Sequence, residues 1–492
     1  MSKKVVVLGL DGFNPELVDR WRDELPNLSS MMNEGMYGDL CSTVPPITPQ
    51  AWTCALSGVN PGKYGFWNFG YRDEFVYGEP KLINSKEVKV DTLYDILPRY
   101  GRKVAIINVP VTYPPIEIPN GYCISCFLTP SIESQFTHPA SLREEVEALV
   151  GEYIIDASTS DSNYRTMDKD RVLKRIYDMD EQRFTLMKHF IKEKNCDYLF
   201  TVIMGTDRMP HLFYRYFDEK HVYYDPDPRY KDALKNHYKY VDKNIGEIRE
   251  LLDDNTVFIV HSDHSVQRLD GRINLNEWLI EEGYMKVNTY PDKLTPLRNC
   301  DIDWSQTKAW ATGYTGQIYL NMRHREPQGV IEPRDYHKVL DELTEKMKAI
   351  TGPNGEKLNT QVFRRTEIHP GPRSRFGPDL FMNFDECRWN ISELIGYGRG
   401  VLYSHETTLG PDDGGHGQYG FFAMAGPGIP GLGKLQNLDL RDIAPTVLSI
   451  MGIEVPEDME GNVLVKKSEN GAYSEEDEDE IKKRLANLGY LG

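Results

Sequence analysis

The stretch "DYLFTVIMGTDRMPH", residues 197–211, runs from an apolar segment rich in β-branched and aromatic residues straight into a polar turn. That turn carries Asp207 and, four residues on, His211. An apolar run of this length bounded by a turn reads as a buried strand, and a helix after it would set Asp207 and His211 one turn apart. The same pattern recurs in "KVVVLGLDG" (4–12), "KVAIINVP" (103–110) and "NTVFIVHSDH" (255–264). Helical patterns lie between, as in Met179 to Lys194, where Phe184, Met187, Phe190 and Ile191 share one side. Strands alternating with helices specify an α/β fold with a mostly parallel central sheet and helices on both faces.

Around this core, assigned to 1–126, 176–289 and 396–466, two segments read differently. Residues 127–175 are polar and irregular, with "DASTSDSNYR" in their middle, and are expected to form a cap insertion. Residues 290–395 combine the strand "GQIYLNM", the helix "DYHKVLDELTEKMKAI" and the turn "HPGPRSRFGPD", which suits a small α+β subdomain. Residues 467–492 predict a C-terminal helix capped by Ser474, with acids in its first turn and bases later.

Composition narrows the partners. The chain has 492 residues, 40% apolar and 27% charged, which describes an ordinary globular protein. Its 57 basic and 75 acidic residues leave a net charge of −18, which argues against a broad basic face for nucleic acid or an anionic membrane. A small anionic substrate stays compatible, because bound metal ions reverse the sign of a pocket. The first apolar run breaks at Asp11, and no later run reaches the length of a membrane span. The seven cysteines are scattered. Cys123 and Cys126 sit three apart in a strand-like "CISCF", facing opposite sides, so a shared metal or disulfide is not expected. A reducing cytoplasm is the expected location.

Ligands of open α/β sheets gather beyond the carboxyl ends of the strands. Three of the apolar runs end there in an aspartate: Asp11, Asp207 and Asp263. His211 follows Asp207, His264 follows Asp263, and "DDGGHGQYGFF" (412–422) sets His416 in a glycine-rich loop before a further strand. Carboxylate with imidazole is the ligand set of Zn²⁺ or Mn²⁺. Six such residues suffice for two ions, and a pair of ions about 4 Å apart clamps an in-line displacement at phosphorus.

A nucleophile is found in "VPPITPQAWTCALSGVNPGKYG" (44–65). With Pro49 at the first helical position and Gly58 past the end, Thr48 is expected as the N-cap of a short apolar helix. There its oxygen meets the anion-favouring end of the helix, and metal coordination would activate it. His261, His369 and His405 read as structural. Arg365, Arg373 and Arg375 lie on or near a polar turn and read as solvated, and no arginine neighbours Thr48 in sequence.

These motifs together resemble the type I phosphodiesterase/nucleotide pyrophosphatase branch of the alkaline phosphatase superfamily, and more closely its prokaryotic group of phosphohydrolases and phosphomutases. The similarity runs through "GLDGF", the Thr48 stretch, "GTDRMPH", "SDHSVQRLDGRINLNEWL" (262–279), "GGHGQYGFFAMAGPGI" (414–429) and "DLRDIAPTVLSIMGIEVPEDMEGNVL" (439–464). The resemblance implies an alkaline-phosphatase-like fold and two divalent ions, with Zn²⁺ first and Mn²⁺ as the alternative. One ion would be held by Asp11, Asp263, His264 and the nucleophile Thr48, the other by Asp207, His211 and His416. It implies hydrolysis of a small phosphate ester, a nucleotide or other phosphodiester, through a phosphothreonine. A phosphomutase or phosphomonoesterase would use the same residues; a non-catalytic binding protein would not need them intact. Three departures stand out: Tyr64 where the family often has histidine, Ser265 where glycine is usual, and Asn68. The last is one residue from the asparagine that binds phosphoryl oxygen in nucleotide pyrophosphatases, and is the candidate substrate contact.

Overall fold

A computed structural model describes residues 3–465, apart from 79, 160–161, 406–409 and 411, together with 484. The helix expected over 467–492 therefore lies outside the described residues, save at that single position. The central sheet takes its strands from β1 (Lys4–Leu10), β2 (Met36–Cys41), β3 (Val104–Ile107), β4 (Tyr122–Ile124), β5 (Thr137–His138), β6 (Tyr198–Ile203) and β7 (Thr256–His261). After the short pair β8 (Ser265–Arg268) and β9 (Gly414–Gly417), it adds β10 (Tyr419–Ala425), β11 (Gly433–Lys434) and β12 (Leu438–Asp439). The order is β11-β2-β10-β7-β1-β6-β3-β4-β5, with β12 also beside β2. Strands from β7 through β4 run parallel. β10 runs antiparallel to both neighbours. The sheet is thus the mostly parallel one that the apolar runs predict.

Every residue of β6 and β7 is buried, because helices cover both faces. The alternation of β1 shows how. Val6, Leu8 and Leu10 pack with Phe184 and Met187 of α2 (Lys169–His189), Leu212 of α3 (Gly205–Phe217) and Tyr238 of α4 (Ala233–Arg249). Val5 and Val7 pack on the other face, with Trp52 and Leu56 of α1 (Thr48–Ser57). Truncating one such buried aliphatic to alanine costs about 2–5 kcal/mol.

Residues 127–175 supply β5 to the sheet edge and send Phe136, Leu142, Val146 and Tyr153 into the core around α2. Within 290–395 lies a four-stranded antiparallel sheet, Ala309–Thr312, Gly316–Leu320, Leu380–Asn383 and Gln361–Arg364 in that order. The helix Tyr336–Lys348 covers it through Leu340, Leu343 and Met347. Of the cysteine pair, only Cys123 is in a strand; both are buried and free. Among the described residues, no helix is long and apolar enough to cross a membrane.

Candidate active site

The site lies beyond the carboxyl ends of β1, β6 and β7. After β1 the chain turns through Gly12, whose φ of 68° is in the left-handed region, so its N–H reaches the Asp263 Oδ1 at 3.2 Å. After β6, Asp207 and His211 occupy the first turns of α3, one above the other, as the four-residue spacing requires.

Thr48 departs from its expected place. The cap of α1 is Ile47, and Thr48 is already the first helical residue. Its hydroxyl does not bond back to the helix; it lies 3.2 Å from His264 Nε2. The pull of that imidazole replaces the capping bond, while Gly58 ends the helix in the left-handed region as expected. One turn after Thr48, Trp52 donates its indole N–H to Asp11 Oδ2 at 2.8 Å. Its ring also fills the space over Gly9, where an added methyl carbon would come within 2.6 Å of it. Tyr64, in the place of the family's histidine, braces the same helix by donating to the Gln50 carbonyl at 2.7 Å.

The three histidines are oriented alike. Nδ1 of His264 faces the Ser265 carbonyl at 3.1 Å, and Nδ1 of His416 faces the Pro46 carbonyl at 2.8 Å. Nδ1 of His211 faces Asp412 Oδ1 at 2.6 Å. An acceptor oxygen at Nδ1 places a proton there, so in the neutral ring Nε2 carries a lone pair. All three Nε2 atoms face carboxylates. His264 Nε2 is 3.1 Å from Asp263 Oδ2 and 3.8 Å from Asp11 Oδ1. His211 and His416 approach Asp207 Oδ1 at 3.3 and 3.6 Å.

Those three oxygens, Asp11 Oδ1, Asp263 Oδ2 and Asp207 Oδ1, are buried and accept no hydrogen bond among the described residues. Buried acceptors without a donor are costly, and here they converge with the Nε2 atoms of His264 and His416, with His211 Nε2 beside Asp207. That donor set fits divalent cations. Ligand atoms of Asp11, Asp263 and His264 lie within 4.8 Å of one another, as do those of Asp207, His264 and His416. The second group differs from the expected Asp207, His211 and His416. The His264 and His416 rings stack with centroids 3.8 Å apart, whereas those of His211 and His416 are 5.4 Å apart.

Charge crowding follows from the same geometry. Burial, then the nearby Asp207, raises the Asp11 carboxyl well above the usual range, and burial with Asp11 does the same to Asp263. Burial opposes ionisation of Asp207 too, but His211 and Arg208 outweigh it and hold that carboxyl low. Burial pushes His416 down to about 4, while Asp412 and Asp207 overcome burial to lift His211 to about 9.

Several participants escaped the sequence reading. Arg208 pairs with Asp207 at 2.5 Å and with Asp156 at 3.1 Å, so an arginine does stand at the site, reached through the fold and not beside Thr48. "GTDRMPH" contains it, but nothing in the spacing singles it out. Asp412 and Trp52 carry no motif of their own. Asn68 accepts the Phe69 N–H on its Oδ1 at 2.9 Å. It lines a cavity of about 400 Å³ with Trp67, Tyr71, Tyr77, Trp310 and Tyr319. That cavity reaches Gly313, whose neighbour Tyr314 has its ring 5.2 Å from that of His416. Arg365 is buried against Asp379 at 3.3 Å, not solvated as expected, and His369 binds the Val44 carbonyl.

Solved structures share this fold. Murine ectonucleotide pyrophosphatase/phosphodiesterase 5 is 13% identical, covers 94% of this chain and 98% of its own, and superposes with a TM-score of 0.52. An inactive threonine-to-alanine variant of that murine protein, in complex with AMP, gives the same TM-score at 13% identity, covering 94% of this chain and 97% of its own. Phosphonoacetate hydrolase from Sinorhizobium meliloti, in complex with phosphonoacetate, is 15% identical, covers 91% and 96%, and gives 0.58. Comparison with curated proteins returns no match. The type I phosphodiesterase/nucleotide pyrophosphatase family model matches residues 5–411, and the chain belongs to that family. It is a metal-dependent phosphoric ester hydrolase.

Proposed function

We propose that the protein hydrolyses phosphodiesters of small molecules, nucleotide-type esters among them, in two steps through a phosphothreonine at Thr48. The observation that carries this reading is the convergence of three donorless carboxylate oxygens with the Nε2 atoms of His264, His211 and His416 beside the Thr48 hydroxyl. Asp11, Asp263 and His264 with Thr48 would hold one divalent ion; His264 being taken up there, Asp207 and His416 would hold the other with His211, whose Nε2 lies 3.3 Å from Asp207 Oδ1, and zinc is the first choice and manganese the second. Bound there, the ions supply the positive charge that stabilises the oxygens entering and leaving phosphorus.

The chain's own residues do the rest. Thr48 Oγ1 forms the new bond to phosphorus as the bond to the leaving alkoxide breaks, and the alkoxide takes up the proton that the Thr48 hydroxyl gives up. Water then cleaves the phosphothreonine, which still carries the second ester arm, returning Thr48 its proton and releasing a monoester. The N-terminus of α1, where Thr48 stands, favours negative charge. The aromatic cavity beside Asn68 suits the organic arm of the ester. The murine relative whose threonine-to-alanine variant is inactive and holds AMP supports this assignment.

A second reading, phosphomonoester hydrolysis, requires Arg208 to be freed from Asp207 and Asp156 to meet the added charge of a monoester. Rapid quenching of the enzyme with a diester, followed by peptide mapping, tests the first reading. A phosphoryl group on the Thr48 peptide is expected, and its absence during turnover refutes it.

A further inference from the structure

His264 and His416 have their Nδ1 atoms fixed by main-chain carbonyls, which no side-chain substitution removes. His211 alone is fixed by a side chain. Its Nδ1 lies 2.6 Å from Asp412 Oδ1, and the Asp412 carboxylate is itself buried. The other oxygen of that carboxylate is shared by Arg165 at 3.3 Å and Arg272 at 3.2 Å. Arg165 comes from the 127–175 segment and Arg272 from the strand Gly271–Asn274, so three separate parts of the chain meet on one carboxylate. The guanidinium of Arg272 also lies over the Tyr314 ring, 5.5 Å from its centroid.

The loop bearing Asp412 is laid along α3 at two further points. The Asp413 N–H donates to the His211 carbonyl at 3.0 Å, and the Asp413 carboxylate accepts from Arg215, one turn beyond His211, at 2.6 and 2.8 Å. The loop therefore has its own anchor in Asp413. Asp412 reaches α3 through the His211 ring.

We infer that Asp412 is a positioning residue for the Asp207–His211–His416 ligand group: it holds His211 in the tautomer and rotation that present Nε2, not Nδ1, beside Asp207 Oδ1. A carboxylate at the distal nitrogen also makes the ring a better donor. Arg165 and Arg272, both on its second oxygen, keep that carboxylate from turning inward to become a ligand itself. The inference rests on the two-ion reading above.

The test is titration of the metal-free protein with Co²⁺ against a chromophoric chelator, with thermal unfolding of the metal-free protein measured alongside. Wild type is expected to take up two ions. Asp412→Asn keeps the shape but can offer its amide in place of an acceptor, and should weaken one of the two ions by about 10–100-fold. The other ion should be held as in wild type. Asp413→Asn, which loosens the same loop without touching His211, should lower the unfolding temperature and leave both affinities alone. If Asp412→Asn does not fold, Asp412→Glu keeps the charge for Arg165 and Arg272 while moving the carboxylate, and should weaken the same single ion. Unchanged Co²⁺ affinities in the Asp412 variants, or equal weakening in Asp413→Asn, overturns the positioning role while leaving the two-ion reading intact. A wild type that binds no Co²⁺ overturns both.

Discussion

The Thr48 hydroxyl lies 3.2 Å from His264 Nε2, and the ring holds that position because its Nδ1 is tied to the Ser265 carbonyl. The threonine is thus spent on the site and not on capping its helix. Thr48→Ala should lower turnover by several orders of magnitude. Stability should fall by only about 1 kcal/mol, the worth of one hydrogen bond. Thr48→Ser, which keeps the oxygen, should retain part of the activity. Steady-state kinetics with urea unfolding checks this, and a Thr48→Ala enzyme working near the wild-type rate would refute the nucleophile.

Metal content is the next expectation. Active protein should carry about two divalent ions per chain, and Asp207→Ala or Asp263→Ala should each lose at least one. Each substitution removes a carboxylate whose free oxygen faces an imidazole Nε2. Elemental analysis decides it, and active protein free of zinc, manganese and iron would end the two-ion scheme.

Trp52→Phe separates packing from hydrogen bonding. The phenyl ring still covers much of the space over Gly9, but Asp11 Oδ2 loses its 2.8 Å donor inside the protein. Loss of about 1–3 kcal/mol of stability is expected, together with weaker metal retention on dialysis against chelator. Unaltered stability and metal retention would show that the indole N–H plays no part in holding Asp11.

Substrate preference should favour bis-p-nitrophenyl phosphate over p-nitrophenyl phosphate. Arg208 is already shared between Asp207 and Asp156, so it has little charge to spare for the second negative charge of a monoester. Comparing kcat/KM for the two compounds tests this. A preference for the monoester favours the phosphatase reading instead.

His369 provides a pH dependence remote from the ligand groups. Burial pushes its imidazole down from the ordinary 6.5 to about 4. Nε2 bonds to the Val44 carbonyl, and the buried Nδ1 has no hydrogen-bond partner among the described residues. With the folded value depressed, the unfolded chain takes up the proton first. The contribution is complete above pH 6.5 and is lost as pH falls toward 4, by about 3 kcal/mol in all. Urea unfolding at pH 7 and 4.5 should show a smaller drop in His369→Gln than in wild type; equal drops would exclude this histidine as the cause.

Much of this arrangement was legible in the chain. The apolar runs at 4–10, 198–203 and 256–261 had to be buried on both faces, which left Asp11, Asp207 and Asp263 at one edge of a sheet. What the sequence did not disclose are contacts set by tertiary approach. Asp412 lies 201 residues from His211, and Trp52 lies 41 from Asp11. Neither interval has any local periodicity to betray it. The cap at Thr48 was misplaced by one residue for a related reason. A Thr-Pro pair favours capping locally, and only an imidazole 216 residues away draws the hydroxyl elsewhere. Likewise Arg365 sits near a turn that reads as solvated until Asp379 is folded over it.

Trp52 and Thr48 stand one turn apart on the same helix, the first gripping Asp11 and the second facing His264. Any sliding of that helix therefore strains two contacts at once, the Trp52–Asp11 bond and the approach of Thr48 to His264. With the indole lodged over Gly9, the helix is keyed to the innermost strand of the sheet. A substitution that loosens the helix against β1 should therefore disturb the surroundings of Asp11 and of His264 together, although the two residues lie 253 positions apart in the chain.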